Sequence, residues 1–272
     1  MSDPTFNEPN QSEYRVPPPP SFPEDIEPQE PVPVISEPAS LASIFYEPAR
    51  VFESFRAKPR FFLATLICMV LLVTFTSLYF KKVNYEKFMR AAIENSPRAS
   101  QMSQQDIDKA VEMQSGPIAK TIGVYIGPPV AILISFVIGG LLYMLGAMIM
   151  GGKLTFTQGW AVWAYSSFPP FVLALLLNIL LVFVKDPESY DIVAGSKGLV
   201  QANLGFLVSM KQSPILHTLL SSVDLFAFYG MFLAAMGLRI VGKISSGMAW
   251  TIVIALFALR VAASVLGASL FG

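Results

Sequence analysis

A chain of 272 residues that is 53% hydrophobic and 14% charged, with mean hydropathy +0.55, is not an ordinary soluble domain. Its formal net charge of zero sums two unlike parts: residues 1–40 hold eight acids against Arg15, leaving 18 bases and 11 acids in the rest. One cysteine, Cys68, and one histidine, His217, exclude an intrachain disulfide and a Cys- or His-cluster metal site.

Residues 1–40 contain 11 of the 21 prolines, including the run Pro17 to Pro20, and almost no clustered aliphatics. Such a stretch buries too little surface to offset its ordering entropy, so a disordered acidic tail with polyproline II character is expected. It reads as a solubilising leader, or alternatively as a docking tail for a proline-binding partner. From 41 to 58 the pattern changes. Ile44, Pro48, Val51, Phe52 and Phe55 form one helical stripe beside Glu47, Arg50, Glu53 and Arg56. That pattern predicts a short amphipathic helix lying in the membrane interface, with a linker helix packed on the bundle as the alternative.

The first apolar run begins near residue 61, too late for a cleavable leader. Phe61 to Phe80 carries no charge and is flanked by Arg56, Lys58 and Arg60 on one side and by Lys81 and Lys82 on the other. At ~20 residues per crossing it is span one. Residues 81–120 are polar, with a helical stripe through Val83, Phe88, Met89 and Ile93. A Ser103–Asp106 capping pattern precedes Ile107, Ala110 and Val111. A helical hairpin outside the bilayer is predicted, either a lid or a connection folded back on the bundle.

Thr121 to Val184 contains Lys153 as its single charged residue and is long enough to cross twice. The turnaround is Gly151-Gly152-Lys153, followed by Trp160, Trp163 and Tyr165 at interfacial positions. Span two, about 122–150, holds Pro128-Pro129, which predict a bend or break, and small residues that permit close helix contact. Span three, 160–184, repeats the pattern with Ser166-Ser167-Phe168-Pro169-Pro170, the serines being placed to satisfy carbonyls that the prolines free. Residues 185–213 form a loop whose weakly apolar part, 199–210, is able to dip into the interface. Span four then runs from about 216 to 241 and span five from about 248 to 271.

Asp224 and Arg260 lie well inside these last two runs. An ionised group at mid-membrane costs at least ~2.5 kcal/mol on insertion scales, so a structural Asp224–Arg260 ion pair is predicted. Failing that, Asp224 would contact Asn178 or a serine hydroxyl. A proton or ion relay is the functional alternative. Basic residues do not orient the chain: Arg50, Arg56, Lys58, Arg60, Lys153 and Lys243 share one side, and ten bases lie on the other.

Several runs resemble a known family. Ile44-Phe45-Tyr46-Glu47-Pro48-Ala49-Arg50-Val51-Phe52, Gly151-Gly152-Lys153-x-Thr155-Phe156, Tyr165-Ser166-Ser167-x-Pro169 and Ser222-Val223-Asp224-Leu225-Phe226 are similar to motifs of Yip-domain proteins, the Ypt/Rab-GTPase-interacting family. The similarity spans about 41–271, and the Gly-Gly-Lys turn looks closest to prokaryotic members, a branch without a settled activity. The resemblance implies a cytoplasmic N-terminus. Through its eukaryotic members it also implies vesicle traffic by binding small GTPases and partner membrane proteins.

The expected architecture is therefore all-α: a five-helix transmembrane, Yip-like domain over 59–272, with 81–120 as an extramembrane helical loop. Its partners are expected to be membrane lipids, other membrane proteins or itself, with no nucleic acid and no cofactor. In a bacterial host it would sit in the inner (plasma) membrane. No Ser-His-Asp set, carboxylate pair or metal cluster lies near an apolar run, which disfavours an enzyme. A non-enzymatic organiser or partner-binding scaffold is the first reading. A small transporter or channel component using Asp224 and the proline-broken helices of spans two and three is the second.

Overall fold

The computed structural model describes residues 35–208 and 212–271. Most of the expected tail, up to residue 34, lies outside the described residues, but helix begins at Glu37, earlier than the expected boundary at 40. In order, the helices are α1 (Glu37–Ser43), α2 (Pro48–Ala57), α3 (Phe62–Lys82), α4 (Tyr85–Glu94) and α5 (Gln104–Ser115). They continue with α6 (Pro117–Thr121), α7 (Gly127–Ile149), α8 (Phe156–Val184), α9 (Ile192–Lys197), α10 (Pro214–Ser222), α11 (Leu225–Gly242) and α12 (Ser246–Phe271). Among the described residues the β-structure is one isolated antiparallel bridge, Asn203 with Asp224. Five helical stretches are long and apolar enough to cross a membrane: α3, the continuous Pro117–Ile149, α8, α11 and α12. This is a multi-pass membrane protein.

The central helix is α8, which packs against α3, α7 and α11. Close approach to α7 depends on glycine. A Cβ on Gly140 would stand 2.8 Å from the Trp160 backbone, and one on Gly139 would enter the Trp163 ring. Without a hydrophobic driving force between helices in lipid, such backbone proximity supplies the packing.

At one end of the bundle, α7 stops in a Schellman turn. Gly151 is left-handed (φ +76°), Gly152 N donates to Ala147 O (2.8 Å) and Gly151 N to Met148 O (3.0 Å). Lys153 N then donates to Gly242 O (3.2 Å), which ties this turn to the end of α11. Thr155 and Gln158 form a capping box at the start of α8, and Gln158 Nε2 reaches the Arg56 carbonyl of α2 (3.3 Å). The apolar stripe of α2 faces protein here. Val51, Phe52 and Phe55 are fully buried, with Phe55 edge-on to Tyr165 at 4.7 Å. The stripe is thus turned to the bundle, as in the linker-helix alternative, and only the polar side of α2 is left for the interface. Glu37 Oε1 accepts from Leu63 N (2.8 Å), capping α3 from α1.

At the other end the predicted hairpin forms from α4 and α5, with the Ser103–Asp106 capping box in place and Arg90 bonded to Asp108 (2.8 Å). It folds back onto the bundle through Tyr85 and Phe88, whose rings sit 5.1 and 5.0 Å from Phe80. Burial raises the Tyr85 and Tyr190 hydroxyls above their ordinary range.

The prolines do not break span two. Pro128 and Pro129 occupy the first turn of α7, and a π-helical turn, Ile122–Ile126, joins it to α6. That wider turn accommodates residues that cannot donate. The Val124 carbonyl has its helical donors at positions 128 and 129, both prolines, and Thr76 Oγ1 of α3 donates to it instead (3.0 Å). In span three α8 is likewise continuous through Pro169 and Pro170. The expected serine compensation takes another form: Ser166 Oγ donates to Trp163 O (3.1 Å), not to a carbonyl released by proline.

Candidate functional site

Span four is not the single helix that its hydropathy predicts. It breaks at Val223-Asp224, between α10 and α11. Asp224 is extended (φ −125°, ψ 130°), and its Oδ1 accepts from Ala227 N (2.8 Å), so the carboxylate is the N-cap of α11. A carboxylate there satisfies an orphan donor and meets the positive end of the helix dipole. The Asn203 segment closes on the same break. Leu225 N donates to Ala202 O (3.1 Å) and Leu204 N to Val223 O (3.3 Å).

The segment 199–208 that makes these bonds is held from α8. Asn178 Oδ1 accepts from Val200 N (2.9 Å) and from Leu199 N, while Asn178 Nδ2 donates to Ala174 O (2.8 Å). Gly205 lies so close to Ser221 Oγ that a Cβ would displace it, and His217 Nδ1 sits 2.8 Å from Val208 O. The loop that was expected only to dip into the interface is thus tied to α8, α10 and the α11 cap. Residues 209–211 of that stretch lie outside the described residues.

Arg260 follows a separate course. Its guanidinium lies over the Phe257 ring, 5.4 Å from the centroid. The expected Asp224–Arg260 ion pair is not closed: among the described residues the side-chain ion pairs join Arg50 with Glu47 and Arg90 with Glu94 and Asp108. Asp224 does not bond to Asn178 or to a serine hydroxyl either, because the backbone has taken the role given to the counter-charge. The two side chains nevertheless line one partly open cavity of about 730 Å³ between α7, α8, α11 and α12. Its other polar contributors include Ser135, Tyr143, Ser166 and Ser167, and the remaining wall is mostly apolar.

The motif residues of the sequence resolve into joints of the fold. Gly152 has no room for a Cβ, which would lie 2.6 Å from Gly242 O. Tyr165 is buried against Phe55, and Pro170, next to the buried Pro169, stands 3.5 Å from the position of a Cβ on Gly230 of α11. Asn178, expected as a fallback contact of Asp224, instead anchors the 199–208 segment; Tyr79, whose hydroxyl donates to Ile192 O (2.5 Å), was not singled out from sequence. The usable signal was the Asp-Leu step at 224–225, a helix-start pattern hidden inside an apolar window. Among the described residues no group of three or more His, Cys, Asp or Glu could hold a metal ion.

No curated protein and no solved structure matches the chain. The Yip1 domain does, over residues 42–268, which takes in α2 through most of α12 with the Asp224 cap and the cavity. The chain belongs to the Yip1 domain family.

Proposed function

We propose that this protein is a non-enzymatic organiser of its membrane, a scaffold that docks other membrane proteins, or a second copy of itself, along α12. The supporting observation is the uneven covering of the spans. In its most apolar stretch α12 is 11% buried, against 33–39% for the other four. Ile254, Leu259 and Leu266 are exposed along it, and the space over Gly267 is open, a surface suited to close helix contact. Family membership supports the same reading, together with a cytoplasmic N-terminus and, in a bacterial host, the plasma membrane. A small GTPase as partner would rest on family membership alone.

Photo-crosslinking side chains installed at Ile254 and Leu266 in native membranes test this. Protein adducts there, and none from buried Ile252, are expected; lipid adducts alone at both positions overturn the scaffold reading. The second reading, a carrier, draws on the cavity that holds Asp224 and Arg260. Under it, Asp224→Asn abolishes flux in proteoliposomes while the protein stays folded, whereas the scaffold reading expects partner docking to persist in that variant.

A further inference from the structure

We propose that the cavity between α7, α8, α11 and α12 binds a phospholipid whose headgroup carries both a primary ammonium and a phosphate, the ammonium meeting Asp224 and the phosphate meeting Arg260. This goes beyond the scaffold reading and does not depend on it.

Two opposite charges line one cavity without closing on each other, although each is costly to hold in a membrane unless it is neutralised. Asp224 uses one carboxylate oxygen on Ala227 N, and among the described residues nothing donates to the other. Arg260 lies over the Phe257 ring, a contact that leaves its N–H fork open to a phosphate. A zwitterion completes both groups at once, whereas a simple anion would face the carboxylate and a simple cation would face the guanidinium.

The order of the charges along the bundle also fits. Measured from the linked turns after α7 and α11, Asp224 lies ~27 Å up α11 and Arg260 ~21 Å up α12. The carboxylate is therefore ~6 Å nearer the α4–α5 end of the bundle. A lipid of the adjoining leaflet points its terminal ammonium outward, its phosphate further in and its chains toward the midplane. The cavity offers Asp224, then Arg260, then a mostly apolar wall that carries the hydroxyls of Ser166, Ser167 and Tyr143. Its volume, about 730 Å³, lies within the ordinary range for a small-molecule site. A lipid source is assigned because the four walls are spans and their lining is mostly apolar. A primary ammonium is assigned because a quaternary one has no N–H to donate to a carboxylate.

The test is native mass spectrometry of the full-length, delipidated protein, titrated with phosphatidylethanolamine, phosphatidylcholine and phosphatidylglycerol of the same acyl chains. Phosphatidylethanolamine should bind at least about tenfold tighter than phosphatidylcholine, the scale of one charge-assisted hydrogen bond. Asn caps helices as well as Asp does, so Asp224→Asn should keep its melting temperature while that ratio falls toward one. Arg260→Gln should weaken both zwitterionic lipids together. Equal binding of the two in the native chain, or an unchanged ratio in Asp224→Asn, overturns the ammonium site. Unchanged binding in Arg260→Gln overturns the phosphate site. Displacement of the lipid by an equal concentration of soluble phosphoethanolamine overturns the assignment to a lipid.

Discussion

The Thr76–Val124 hydrogen bond offers the sharpest check on how the fold tolerates its prolines. Thr76 is buried in α3, and its hydroxyl, shared with Val73 O at 3.1 Å, reaches Val124 O across the helix interface. Thr76→Val keeps the shape of the side chain and removes the donor. Interhelical hydrogen bonds in membranes average only ~0.6 kcal/mol, because a freed group usually finds another partner. Val124 is an exception, since its α-helical donor would be residue 128 and its π-helical donor residue 129, and both are proline. The carbonyl is left bare, so the cost should sit near the upper end, ~1.5 kcal/mol.

The same reasoning makes the cost conditional. Replacing Pro128 and Pro129 with alanine restores both backbone donors, and Thr76→Val should then cost less than ~0.5 kcal/mol, a coupling of ~1 kcal/mol. Reversible unfolding in mixed micelles, read by steric trapping or by circular dichroism, measures all four corners of the cycle. An equal cost of Thr76→Val in both backgrounds would show that the hydroxyl does not substitute for the missing proline donors.

Three further outcomes are expected. Gly152→Ala places a methyl group against Gly242 O and should destabilise by ~1–3 kcal/mol. Gly151→Asn at the open left-handed position next to it should cost well under 1 kcal/mol, both read as micelle melting. Asn178→Leu removes two backbone anchors of the 199–208 segment, so amide exchange there should rise ~10-fold or more in nanodiscs while α7 and α8 stay protected. Asp224→Ala should lose ~1 kcal/mol that Asp224→Asn retains, and equal loss in the two variants would remove the capping role.

The legible part of this fold was the part written locally. Gly151-Gly152 announces a helix stop because few other residues take a left-handed C-cap, and the turn forms there. Ser103 and Asp106 are three residues apart, so their capping box is readable as a string. The stripe of Phe52 and Phe55 declares a buried face, but not what buries it: lipid and protein are equally apolar, and α8 and α11 turn out to be the cover. The Asp224 break was illegible for a related reason. Hydropathy sums over a window, and Leu216 to Val241 is apolar on both sides of a cap only two or three residues wide. Asn178 with Leu199 and Thr76 with Val124 lie 21 and 48 positions apart, pairings that one-dimensional spacing does not encode.

The expectation of an ion pair failed instructively. A charge in hydrocarbon needs neutralising, and the opposite charge in the neighbouring span is one class of partner. Membrane helices contain a second class of partner, because each interruption exposes backbone N–H and C=O groups that are as costly to leave bare as a side chain. Asp224 and Asn178 accept from such N–H groups, and Thr76 donates to such a carbonyl. Each polar residue answers an interruption: the α10–α11 break, the 199–208 segment and the Pro128-Pro129 turn. Arg260 has no carboxylate within bonding distance among the described residues, and it sits in an unbroken helix whose own backbone is satisfied. It is therefore a basic side chain in a span to which the fold supplies a ring face and no carboxylate. That is the reason to look for its acceptor in the surrounding lipid.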